Sequence, residues 1–196
     1  MNKNICLITP PSPFLLDERV FMHIGILKVA AVLEREGYRI DFLDLAGVEK
    51  YEDVLNLYLK SHPNVTTFGL TSTTPQIPFA FKIATCIRNQ VLNPKIILGG
   101  THSSLMSSAR KKEKKLGKKG RATKDIEALL NHFDVLVAGD GEKAVFEALK
   151  QGHGVIDADE VKGDMFLTDE EFSELPLPAR HLVDIESYHY TIEGNN

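Results

Sequence analysis

Lys95-Ile96-Ile97-Leu98-Gly99-Gly100-Thr101-His102-Ser103-Ser104 is the stretch on which the fold turns. Its first half is a short continuous apolar run, the pattern of a strand buried on both faces of a parallel sheet. Its second half, a glycine pair and then small polar residues, reads as a polar loop. Two glycines at a strand end permit positive φ, or let a ligand lie against backbone with no Cβ in the way. Ligands of open α/β sheets bind at the carboxyl ends of the strands. Gly99 and Gly100 therefore mark either a tight turn or a ligand edge.

Working outward from that stretch, strands and helices alternate. Residues 4–9, 38–45, 66–71 and 134–138 read as further strands, from short apolar runs or period-two alternation. Helical spacing falls at 24–33, closed by Gly37 as a C-cap, and at 51–60, 78–89, 124–131 and 143–150. The pattern predicts an α/β fold with a Rossmann-like, doubly wound, parallel five-stranded sheet. Its ligand edge would gather four loops: Thr9-Pro10-Pro11-Ser12, Thr71-Ser72-Thr73, Gly99-Gly100-Thr101-His102 and Gly139-Asp140-Gly141-Glu142. Residues 1–152 form this domain. Residues 153–196 form an irregular, acidic C-terminal extension, with 155–157 and 165–168 as short edge strands, Leu175-Pro176-Leu177-Pro178 extended, and a helical turn within 179–188. That extension is too polar to make a core of its own and is expected to wrap the sheet or act as a linker.

A chain of 196 residues with 43% hydrophobic and 26% charged residues has the composition of an ordinary globular domain. A net charge of −4 gives no global reason for nucleic-acid or membrane binding. No run of eighteen apolar residues and no signal peptide is read, so a cytoplasmic location is expected. Cys6 and Cys86 stand far apart, in a strand and a helix, and neither CxxC nor CxxxCxxC occurs. This sequence therefore holds neither an iron–sulfur cluster nor a cysteine zinc site.

GxxxxGK[ST], GxGxxG after the first strand and the G-x-S-x-G elbow are all absent. A receiver domain needs acids after the first strand and a phosphoacceptor aspartate after the third; threonine, proline and serine stand there instead. His23, before the first helix, is a candidate metal ligand or a solvated loop histidine. His102 is expected to point into the edge site. No catalytic constellation and no metal-ligand set emerges. The run from Arg110 to Arg121 is strongly basic and lacks aromatic residues. It reads as a solvated excursion that could fold back onto the acidic tail, or contact RNA phosphates.

Taken together, several pieces resemble the N-terminal cobalamin-binding domain of the cobalamin-dependent radical S-adenosylmethionine enzymes. These are Thr9-Pro10-Pro11, the run from His23 to Glu34, Gly37-Tyr38, Asp44, Gly99-Gly100-Thr101-His102, the run from Asp134 to Glu142, and the run from Leu175 to Arg180. The resemblance implies a Rossmann-like domain holding cobalamin at the carboxyl edge of the sheet. Thr71-Ser72-Thr73 stands where the wider fold has S-x-L, and Gly99-Gly100 matches G-G. Thr71 would hydrogen-bond the dimethylbenzimidazole tail, and the glycines would let that flat tail slide in. The D-x-H-x-x-G motif is absent, which suits a tail bound without a histidine on cobalt. The loop from Pro10 to Gly25 would meet the lower corrin face. The cofactor-binding residues so implied are Thr9, Pro10, Pro11, Ser12, His23, Gly25, Thr71, Ser72, Thr73, Gly99, Gly100, Thr101, His102, Gly139, Asp140, Gly141 and Glu142.

Asp140 replaces the glutamate common in the family's Gly-Glu-Gly-Glu, and the basic excursion lengthens a loop usually short there. The family's CxxxCxxC follows the Leu-Pro-Leu-Pro segment and its tyrosine; here the sequence stops after Tyr188 and Tyr190. The cluster and S-adenosylmethionine would belong to a further C-terminal barrel, the partner in cis. The expectation is a module that presents methylcobalamin to that barrel and does not cleave S-adenosylmethionine itself. The alternatives are a cofactor-free interaction or regulatory module of the same fold, and RNA binding through residues 110–121.

Overall fold

A computed structural model of the chain describes residues 3–12 and 17–188; Pro13, Phe14, Tyr190 and the closing Gly194-Asn195-Asn196 lie outside the described residues. Six parallel strands form one sheet in the order β2-β1-β3-β4-β5-β6: β1 (Asn4–Thr9), β2 (Arg39–Asp44), β3 (Thr67–Thr71), β4 (Lys95–Gly99), β5 (Val135–Ala138) and β6 (Gly154–Asp157). The expected α/β, doubly wound class holds, with six strands rather than five. The additional strand is the 155–157 segment expected as an edge. It pairs Val137 with Ile156 and Ala138 with Asp157, beyond the end expected for the sheet domain. Residues 165–168 form no strand.

Strand order reverses beside β1, which has β2 on one side and β3 on the other. A crevice opens at such a point because the connections leave toward opposite faces. The helices are α1 (Ile24–Arg35), α2 (Tyr51–Ser61), α3 (Ile77–Gln90), α4 (Thr101–Lys115), α5 (Arg121–Leu130), α6 (Gly141–Lys150) and α7 (Asp169–Ser173). Alternation along the strands divides the core. Cys6, Ile8, Phe68, Leu70, Ile96, Leu98 and Leu136 pack under α2, α3 and α5. Ile5, Leu7, Ile97, Val135 and Val137 face α1 and α6. α1 ends as its sequence requires: Gly37 sits at φ 76° and Tyr38 N donates to Leu33 O at 3.1 Å.

One segment departs sharply from the sequence reading. Residues 101–104 are not a loop; they are the first turn of α4, which runs on through the basic residues to Lys115. Periodicity could not show this helix, because it buries chiefly His102, Ser103 and Ser107, and Leu105 is exposed. Lys112, Lys114 and Lys115 occupy its last turn, where cations suit the negative end of the helix dipole. Glu113 turns away from them. Its carboxylate accepts Gly120 N at 3.1 Å, Ala122 N at 2.8 Å, Thr123 N at 2.9 Å and Thr123 Oγ1 at 2.6 Å, closing the otherwise unpaired start of α5.

Part of the basic excursion folds back onto the acidic tail, as one of its readings held, while Lys119 turns to Glu127 of α5. Lys111 pairs with Asp157 and, at 3.3 Å, with Glu160; Lys119 pairs with Glu127 at 2.7 Å. The C-terminal extension straps the α1/α6 side. Ala179 N donates to Leu27 O at 3.0 Å, and Leu175 and Leu182 pack on that core. Lys143 meets Glu171 at 2.7 Å. Tyr188 donates to Asp44, with the Arg19 guanidinium 5.3 Å from its ring centre.

The donors around Glu113 hold its carboxyl below the usual glutamate range, the Thr123 hydroxyl being the largest cause. A depressed folded pKa stabilises above the unfolded value and is lost as pH falls through the folded one. Glu113→Gln should therefore lower the melting temperature at neutral pH. The gap to the wild type should close as pH falls below the ordinary carboxylate range, and thermal melts across that range check it.

Candidate functional site

At the carboxyl edge, on the side covered by α1 and α6, the sheet and the helices stand apart and enclose a cavity of about 440 Å³. Its floor is the sheet face at Ile5, Gly69, Ile97 and Val137; its walls are Ile26 and Val29 of α1 and Val145 and Leu149 of α6. Gly69 is decisive for the depth. A β-carbon there would lie 2.7 Å from Leu7 Cδ2, so any side chain at this position would displace Leu7 and raise the floor.

The mouth is polar. Thr71, Thr101, Ser104, Asp140, Glu142 and Asp159 line it, with backbone exposed at Gly25, Gly99, Gly100, Gly139 and Gly141. Glu142 is buried in the first turn of α6. Desolvation raises its pKa, against the backbone N–H groups at the start of its own helix; Asp140 adds to the rise and Lys28 opposes it. α4 passes over this edge. It leaves the end of β4 and passes that of β5, where Ser104 Oγ accepts Gly139 N at 2.8 Å, and its Lys111 side chain reaches Asp157 at the end of β6.

Among the residues expected at the site, Gly25, Thr71, Gly99, Gly100, Thr101, Gly139, Asp140, Gly141 and Glu142 come together around the cavity. The rest lie elsewhere along the edge. Thr9, Pro10, Pro11 and Ser12 are buried; Pro10 O accepts Gln76 Nε2 at 2.8 Å, and Ser12 N donates to Glu18. Thr73 caps the short turn Thr74–Gln76, its amide donating to Gln76 Oε1 at 2.9 Å. Ser72 N donates to Gly99 O and Ser72 O accepts His102 N, both at 3.1 Å, which ties β3, β4 and α4 together. His23 stands at the start of α1, where burial lowers its pKa against the pull of Asp44 and Glu18.

His102 does not point into the cavity. It is buried beside Thr74, with Nδ1 and Thr74 Oγ1 3.0 Å apart, and burial lowers its pKa. Helix geometry explains this: with 101–104 in a first turn rather than a loop, Thr101 and Ser104 share the cavity side and His102 faces away. Among the described residues, Thr9 Oγ1 and Ser72 Oγ are buried hydroxyls without a partner. No cluster of three or more histidines, cysteines or carboxylates there is arranged for a metal ion. No helix there is long and apolar enough to cross a membrane.

Sequence reasoning missed Gly69, the apolar walls, Ser104 and Asp159. A glycine inside a strand was a legible sign of close approach. Asp159 had none, because it reaches the mouth only through the sixth strand.

The fold is shared with solved structures. Two structures of the radical S-adenosylmethionine methyltransferase TsrM from Kitasatospora setae match. One, with tryptophan substrate and an analogue of S-adenosylmethionine bound, has 19% identity and a TM-score of 0.55 over 78% of this chain and 26% of that chain. The other, with cobalamin and an iron–sulfur cluster bound, has 20% identity and a TM-score of 0.51 over 79% of this chain and 26% of that chain. The chain thus spans about a quarter of the length of these proteins. No family model and no curated protein matches it. The class defined by fold and site is a Rossmann-like α/β domain with a glycine-rimmed apolar cavity at its carboxyl edge.

Gly99 and Gly100 differ in what they do. Gly100 has φ 92° and ψ 178°, and a β-carbon there would lie 2.6 Å from Ser72 N and 2.7 Å from Ser72 O. Gly99 has no positive φ, and its β-carbon would meet nothing nearer than Leu70 O at 3.9 Å. Gly100→Ala should therefore lower unfolding stability by about 2 kcal/mol or more, the range for a glycine-only backbone conformation. Gly99→Ala should change it little. Urea denaturation of both variants checks the contrast.

Proposed function

We propose that the chain is a cobalamin-binding domain of a radical S-adenosylmethionine methyltransferase-type protein, holding the corrin at the carboxyl edge of its sheet. The observation that carries this reading is the cavity that Gly69 and Gly99 create beneath that edge. About 440 Å³ falls within the size of small-molecule sites. It is far too small for a whole corrinoid and suited to the flat base of its nucleotide tail. The fold it shares with TsrM, which has been solved with cobalamin bound, supports the same reading.

The residues fit the group in kind. Ile5, Val29, Ile97 and Val145 would sandwich the tail base, and Gly69 and Gly99 leave it room. The Thr71 hydroxyl at the mouth would donate to the base nitrogen. Asp140, Glu142 and Asp159 are acceptors for the amide N–H groups around a corrin rim. Cobalamin, when bound, supplies a transferable methyl group on cobalt. The chain's part is to seat it, fix its orientation and leave the opposite corrin face open to a partner domain. This sequence has two cysteines and no cysteine triplet, so cleavage of S-adenosylmethionine is not assigned to it.

A cofactor-free interaction module would use the same fold, and an RNA-binding module would use residues 110–121. The ion pairs of Lys111 and Lys119 weigh against the latter.

The chain mixed with hydroxocobalamin and then desalted should retain bound corrin absorbance. Gly99→Leu, which places a side chain in the cavity without backbone strain, should weaken retention about tenfold or more, as expected for a filled apolar pocket, with its circular dichroism unchanged. Absence of retained corrin at micromolar protein would refute the reading in favour of the cofactor-free module.

A further inference from the structure

The two ends of the cavity differ in chemistry. Its polar side chains all belong to the mouth: Thr71 is the last residue of its strand, and Ser104 and Glu142 lie in the first turns of their helices. Below them the lining is Ile5, Val29, Ile97, Val137, Val145 and Leu149, with Gly69 beneath. The strand backbone there is committed to the sheet. Gly69 is in register with Ile97, Ile97 with Val135, and Ile5 with Thr67. A group that reaches the floor therefore meets carbon and finds no hydrogen-bond partner.

We propose that this depth selects corrinoids by the base of the nucleotide tail, accepting dimethylbenzimidazole and rejecting adenine. The inference rests on the cobalamin reading above and adds a specificity to it. Dimethylbenzimidazole presents its methyl-bearing carbocycle to the floor, where burial of apolar surface is favourable. Adenine presents an exocyclic amine, a double donor, together with ring-nitrogen acceptors. Seated in the same orientation, these groups lose water and gain no partner, which is costly in a pocket of this kind. The polar mouth does not relieve that cost, because the Thr71 hydroxyl there would meet the imidazole-ring nitrogen that both bases present.

Three ligands test this on the intact 196-residue chain: hydroxocobalamin, its adenine-tailed analogue and tail-less cobinamide. Each is titrated at fixed protein concentration, and protein-retained visible absorbance is read after ultrafiltration. Cobalamin should bind tightest, with the adenine-tailed analogue and cobinamide each weaker by about tenfold or more. Equal affinity for the two tailed corrinoids overturns the selectivity. Cobinamide binding as tightly as cobalamin also overturns it, because the tail then lies outside the cavity, while corrin binding itself stands. Retention of none of the three overturns the cobalamin reading and the selectivity with it.

Discussion

The structure depends on one residue's backbone. Gly100 takes a conformation closed to residues with a β-carbon, and a β-carbon there would collide with the backbone of Ser72. In that single step the chain passes from β4 into α4. The step lets Ser72 bond Gly99 on one side and His102 on the other, so two strands and a helix meet at one point. It also sends α4 past the end of β5, where Ser104 reaches Gly139. Residues with ordinary φ would need a longer connection, and the edge would be covered differently.

Glycine does a second, separate job at the same edge. At positions 69 and 99 it leaves room rather than making a bend. The opposite face of the sheet shows the contrast: Phe68, Leu70, Ile96 and Leu98 are buried there against α2, α3 and α5. One face thus carries the packing that a parallel sheet needs. The other is opened toward the carboxyl edge and fastened by Ala179, Leu175 and Leu182 from the extension. An acidic tail without a core of its own is ordered by borrowing the apolar surface of α1.

The alternation of apolar runs with helical spacing made the doubly wound sheet legible, because strands buried on both faces must be continuously apolar. The glycine loops at the strand ends were legible for a local reason, their backbone freedom. α4 was not. Its Ser, Thr and Lys residues carry little apolar periodicity, and it is held instead by the junction at Gly100 and by its own Glu113, which binds the start of α5. The direction of His102 followed from that error, since one turn of helix decides which neighbours share a side. Within the cavity, Thr71, Gly99 and Asp140 could be named from sequence. Its walls on α1 and α6 could not be told from ordinary core positions, because the same aliphatic residues serve both.

A hollow made by withholding side chains has a thermodynamic consequence. Apolar atoms facing such a space forgo dispersion contacts that a filled core would make, and in protein interiors that loss is felt as stability. A molecule that enters returns those contacts to Ile5, Ile97 and Val145. Occupancy and folding are then linked: a ligand at a hundred times its dissociation constant raises stability by about 2.7 kcal/mol. The depth at Gly69 would thus couple the stability of the domain to any molecule that fills the cavity.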